Sequence, residues 1–128
     1  LFPRLKAAFA CATLACAIFV NLATLARPAD AAELLVIRSA RCPYCLAWEH
    51  EIGRVYAKTP EGSRAPLRRF DIAEDRPAGL GKIDAVSVTP TFILVEQGRE
   101  AGRIEGYSGA RDFWLELRRL LARLHSAG

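Results

Sequence analysis

The sequence predicts a single α/β domain whose mixed sheet is flanked by helices, and three observations carry that prediction. Short apolar runs of strand length alternate with segments whose apolar residues recur at helical spacing. Two of the runs are joined by a Gln97-Gly98 pair suited to a tight hairpin, so part of the sheet is antiparallel. No internal repeat and no linker divides the chain, and 128 residues are too few for two domains of ordinary size.

The first 31 residues stand apart from that domain. Arg4 and Lys6 open the segment, and Ala7 to Ala26 then carries no charge and only Thr13, Asn21 and Thr24 as polar residues. Arg27, Pro28 and the small-residue site Ala29-Asp30-Ala31 follow. A basic start, an apolar run and a small-x-small site describe a secretory signal peptide, with cleavage expected after Ala31. The other reading is an uncleaved anchor, because twenty apolar residues can just span a bilayer. In both readings residues 32–128 form the folded domain and are expected to be exported across the membrane. Cys11 and Cys16 belong to the apolar run, which leaves Cys42 and Cys45 as the cysteines of the domain.

Within the domain, Leu34-Leu35-Val36-Ile37 is a continuous apolar run that fits a strand buried on both faces. A turn at Ser39-Ala40-Arg41 leads to Cys42. Trp48, Ile52, Val55 and Tyr56 then mark one face of an amphipathic helix ending near Lys58, with Pro43 in its first turn. Thr59 to Pro66, with two prolines and a glycine, reads as a loop, and Leu67 to Ile72 as a second strand. Residues 76–84 are rich in turn formers, with a short helix expected about Leu80 to Asp84. Thr91 to Val95 and Ala101 to Tyr107 are the two arms of the hairpin. Phe113, Leu117, Leu120, Leu121 and Leu124 line one face of a closing helix, and Ser108 is its candidate N-cap.

Composition narrows the function. Apolar residues at 52% and charged residues at 25% exclude a disordered chain, and 9 glycines with 7 prolines exclude a collagen-like one. The net charge of +4 falls to +2 once Arg4, Lys6, Arg27 and Asp30 leave with the leader, which gives no electrostatic case for nucleic acid.

The chemistry-bearing element is Cys42-Pro43-Tyr44-Cys45. Cysteines three apart at a helix start share a face and lie within reach of a disulfide. Unpaired backbone N–H groups there favour a thiolate on the earlier residue, lowering a thiol pKa from about 8.5 to roughly 3.5–7.5. Cys42 is therefore the candidate nucleophile and the one expected to be more exposed. Arg41 beside it acts in the same direction. Cys45 is placed to resolve a mixed disulfide. A purely structural bridge is the alternative, although a loop this short removes little chain entropy. Zinc would need four ligands, and His50 and His125 have no second cysteine cluster to join.

These residues give the chain a resemblance to the thioredoxin-like superfamily over Glu33 to Leu124. Cys42-Pro43-Tyr44-Cys45 resembles the glutaredoxin form of the active-site motif, and Val88-Thr89-Pro90-Thr91 resembles the loop carrying that fold's cis-proline. The resemblance implies a sheet of four or five strands with Pro90 opposite Cys42. It also implies substrate binding by Pro43, Tyr44 and the Thr89 backbone, and a last strand in which Gly106 lets the chain pass close to the site. No cofactor beyond the Cys42–Cys45 disulfide and no metal are implied.

A narrower resemblance, carried by Arg41 to Trp48, Tyr56 to Arg69 and Arg103 to Tyr107, is to the periplasmic thioredoxin-like proteins of bacterial sulfur-oxidation (Sox) systems. It implies a monomer that reduces partner proteins, a sulfur carrier among them, with electrons from a membrane thiol transporter. Val36 stands where many thioredoxins have a buried acid, and Arg41 where they have tryptophan. No glycine-glycine-aspartate motif for glutathione is present. Two other functions share the fold: a disulfide oxidase or isomerase, and a binding module with an inert bridge.

Overall fold

The computed structural model describes residues 32–74 and 84–124. The leader, His125 and nearly all of the helix expected about Leu80 to Asp84 lie outside these residues.

Strand β1, Glu33–Arg38, is the axis of the fold. It pairs in parallel with β2, Leu67–Asp71, and antiparallel with β3, Thr91–Glu96. Strand β4, Arg99–Glu105, completes a four-stranded mixed sheet in the order β2-β1-β3-β4. The hairpin turn between β3 and β4 has φ of 52° at Gln97 and 72° at Gly98, the pair of left-handed residues that suits a two-residue connection. The continuous apolar run of β1 has a direct cause. Leu34 and Val36 enter the main core, whereas Leu35 packs on the other face with Ile93 and Val95.

The first helical region departs from the single amphipathic helix the spacing predicts. Helix α1 covers Pro43–Trp48, a π-helical stretch runs over Glu49–Gly53, and a 3-10 turn spans Tyr56–Lys58. Arg69 on β2 grips the Glu49 carboxylate at 2.9 and 2.7 Å and donates to the Gly53 carbonyl at 3.3 Å. A Cβ on Gly53 would stand 2.6 Å from that carboxylate, so glycine makes room for the ion pair. The wider turn moves the buried face to Trp48, Ile52 and Tyr56, and Val55 is left exposed.

The expected loop from Thr59 to Pro66 contains helix α2, Pro60–Arg64. Thr59 caps it, accepting from Gly62 N–H at 3.0 Å, and Pro60 takes the first helical position where its missing N–H is harmless. The proline that reads as a breaker is in fact a starter. Helix α3, Ala110–Arg123, buries Phe113, Leu117, Leu120 and Leu121 as its spacing predicts. Its cap position is held by Gly109 and not by Ser108. The chain turns at Gly109 with φ of 125°, and no side-chain hydroxyl caps the helix. Trp48, Phe92 and Phe113 meet at ring-centroid distances of 4.8 to 5.8 Å and fix α1 and α3 on the same face of the sheet.

Candidate active site

Cys42 and Cys45 form a disulfide at the start of α1, with Cα atoms 5.2 Å apart. The turn after β1 delivers Cys42 there, its N–H donating to the Ser39 carbonyl at 3.3 Å. Cys42 is itself the N-cap of α1. Its backbone is extended (φ −92°, ψ 108°), Pro43 follows at the first helical position, and its sulfur accepts the Cys45 N–H at 3.1 Å. A sulfur thus occupies the place usually taken by a serine or aspartate oxygen. Charge left on that sulfur by reduction would meet a backbone donor already aimed at it.

The facing wall is the Thr89–Pro90 segment. That peptide bond is cis, Pro90 is buried, and the Thr89 carbonyl oxygen lies 3.3 Å from the Cys42 sulfur. The Ser39 and Thr89 hydroxyls meet at 3.4 Å, and the Thr91 hydroxyl donates to the Val88 carbonyl at 2.6 Å. A third segment comes from the turn after β4, where Gly106 N–H donates to the Pro90 carbonyl at 2.7 Å. Pro43 and Tyr44 project outward beside the disulfide with Leu46 and Val88, an exposed apolar rim. Arg41 is exposed at the same edge.

Two expectations are corrected here. Cys42 is not the more exposed cysteine: it is 6% accessible and Cys45 is 7%, because the Thr89–Pro90 segment covers the first sulfur. Gly106 lies just beyond β4, which begins and ends two residues earlier than expected, and it is not required by a close approach. A Cβ there would meet nothing within 4 Å, and the requirement is its φ of 78°. Val36, at the position where many thioredoxins have a buried acid, is packed into the apolar core. Among the described residues no group of three or more histidine, cysteine or acidic side chains could hold a metal, and His50 is exposed.

One contact has no signature in the sequence. The Tyr107 hydroxyl donates to Glu51 at 2.5 Å, joining the turn after β4 to the π-helical stretch. Nothing in a pair 56 positions apart signals this, because it depends on how α1 widens beyond Trp48.

Neither a family model nor a curated protein sequence matches the chain. Solved structures do, and they give the class: the chain belongs to the thioredoxin family. The thioredoxins of Fasciola hepatica and Malassezia sympodialis (Mala s 13) share the fold, each at 18% identity, with TM-scores of 0.54 and 0.52. They are covered over 83% and 75% of their length by 71% and 70% of this chain. A much nearer likeness is to the periplasmic thioredoxin SoxS of Paracoccus pantotrophus in its reduced form. It is 38% identical with a TM-score of 0.69, and the match spans 99% of that protein and 76% of this one. Family and disulfide together make this a thiol redox protein of the thiol–disulfide oxidoreductase class.

Proposed function

We propose that the chain is an exported reductase of protein disulfides in the periplasm, acting through Cys42 and Cys45. The observation that carries this reading is the Cys42 sulfur, capped by the Cys45 N–H at 3.1 Å and facing the Thr89 carbonyl. In the reduced protein the Cys42 thiolate attacks one sulfur of a partner's disulfide and expels the other as a thiolate, which takes up a proton. Deprotonated Cys45 then attacks the Cys42 sulfur, forms the internal disulfide and releases the second partner thiol. Two electrons pass to the partner, and its two thiols carry one proton from Cys45 and one from water.

The partner strand pairs with the Thr89 backbone beside Pro90, over a surface formed by Pro43, Tyr44 and Gly106, while Arg41 favours the thiolate. Residues 1–31 serve as the leader and residues 32–128 as the working domain, a monomer needing no cofactor beyond its own disulfide. The 38% identity to a periplasmic thioredoxin supports the compartment. A sulfur-carrier protein is one substrate and a membrane thiol transporter the electron source, as the resemblance to sulfur-oxidation thioredoxins implies.

Insulin reduction by the wild type and by Cys42→Ser tests the activity. Loss in the variant supports it, whereas equal rates would sink it. Cys45→Ser should accumulate mixed disulfides on Cys42, and capture of only unrelated secreted proteins would exclude the sulfur-carrier role.

A further inference from the structure

We infer that Tyr107 and Glu51 form a clamp that positions the substrate-docking loop against the redox helix. The inference rests on the proposed disulfide chemistry and adds two positioning residues to it. Three segments distant in sequence meet at the site: the helical region after Cys42, the Thr89–Pro90 loop and the turn after β4. The loop is held to the turn by Gly106 N–H on the Pro90 carbonyl at 2.7 Å. The turn is held to the helical region by the Tyr107 hydroxyl on Glu51 at 2.5 Å. The Thr89 carbonyl, 3.3 Å from the Cys42 sulfur, closes the ring.

Gly106 sits at φ of 78° with open space where a Cβ would be, so no side chain of its own anchors the turn there. The next residue is the one tied down. Its ring rests edge-on against Phe113 at 6.4 Å, and its hydroxyl reaches a carboxylate, an acceptor that makes a stronger bond than a neutral oxygen. Glu51 is also set apart from Glu33, Glu49, Glu61 and Glu100, each of which pairs with an arginine. Among the described residues its only partner is the Tyr107 hydroxyl. Burial and the adjacent carboxylate both push the Tyr107 phenol upward, so it remains a donor across the working pH range.

Tyr107→Phe removes the hydroxyl and keeps the ring. In the full chain it should raise KM for insulin about fivefold with kcat little changed. Reduction of bis(2-hydroxyethyl) disulfide, too small to need the docking loop, should change by less than about twofold. Amide exchange at Gly106 should quicken about fivefold. Glu51→Ala should reproduce these effects, the double variant should add nothing, and Glu51→Gln, which keeps an acceptor, should restore most of the wild-type behaviour. Unchanged KM with unchanged Gly106 exchange would overturn the clamp. So would equal losses on both substrates, or additive effects in the double variant. If the wild type does not reduce insulin, the proposed function fails, and Gly106 exchange in the two single variants alone decides the clamp.

Discussion

Cys42 combines two duties that are usually separate. It closes the first helical turn as a cap, and it is the atom on which the proposed chemistry happens. Serine at this position can still cap, so Cys42→Ser should fold with near-native circular dichroism and thermal midpoint while losing insulin reduction, a split that separates chemistry from architecture. The motif itself was legible from spacing alone. The near-equal burial of its two cysteines was not, because it depends on a loop 47 residues away. Gly106 carries a second prediction at this scale. Its backbone is left-handed but its surroundings are empty, so Gly106→Ala should lower stability by about 1–2 kcal/mol in chemical denaturation, without the larger loss that a clash would bring. A loss above about 4 kcal/mol would mean that the space is not open.

At the level of elements, the strands were readable and the helical boundaries were not. Buried strands announce themselves as apolar runs, and β1 and β3 lie where those runs fall. Strand β2, only partly buried and charged at Arg68, Arg69 and Asp71, still falls within the expected Leu67 to Ile72. The break in the first helical region coincides with a long-range ion pair, Arg69 with Glu49, and α2 starts at a proline whose effect depends on which side of a helix boundary it occupies. Gly62 in α2 is the position least able to change. A Cβ there would overlap the Tyr56 carbonyl oxygen, displacing a tyrosine whose hydroxyl donates to Ala65 at 2.9 Å and whose ring stacks on Trp114. Gly62→Ala should therefore destabilise by about 3 kcal/mol or more, measured as a shifted denaturation midpoint at constant slope. Arg103 offers a pH test. It bonds Glu100 at 2.7 Å and reaches back to the Asp84 and Ala85 carbonyls, bracing the segment that leads to Thr89. The Arg103 hydrogen bond holds the Glu100 carboxyl below its usual range, against the opposing effect of burial. The folded state therefore releases this proton more readily than the unfolded one. The resulting stability is present above the ordinary glutamate value of about 4.3 and is lost as pH falls through the lower folded value. Glu100→Gln should cost about 1–2 kcal/mol at pH 7, and the two proteins should converge in acid.

For the whole molecule, the succession of the four strands, the closing helix and the mixed sheet followed from the sequence, because each of these has its own local pattern, whereas α2 did not. The strand order β2-β1-β3-β4 required the structure, since pairing is decided by which faces share the core. Charge tells a similar story. Arg68, Arg69, Arg103 and Arg118 are each engaged with a carboxylate, so these four basic residues brace the fold. The proposed export makes its own prediction: mass spectrometry of the mature protein should find Ala32 as the first residue, and retention of residues 1–31 in a membrane fraction would favour the anchor. The direction of electron flow belongs to the molecule as a whole, because it is set by the relative stability of its reduced and oxidised forms. The reduction potential of the Cys42–Cys45 couple, equilibrated against a glutathione or dithiothreitol buffer, tests it most directly. A reductase should lie near about −270 mV, as thioredoxin does, and a value near about −120 mV, that of a strong periplasmic oxidant, would contradict it.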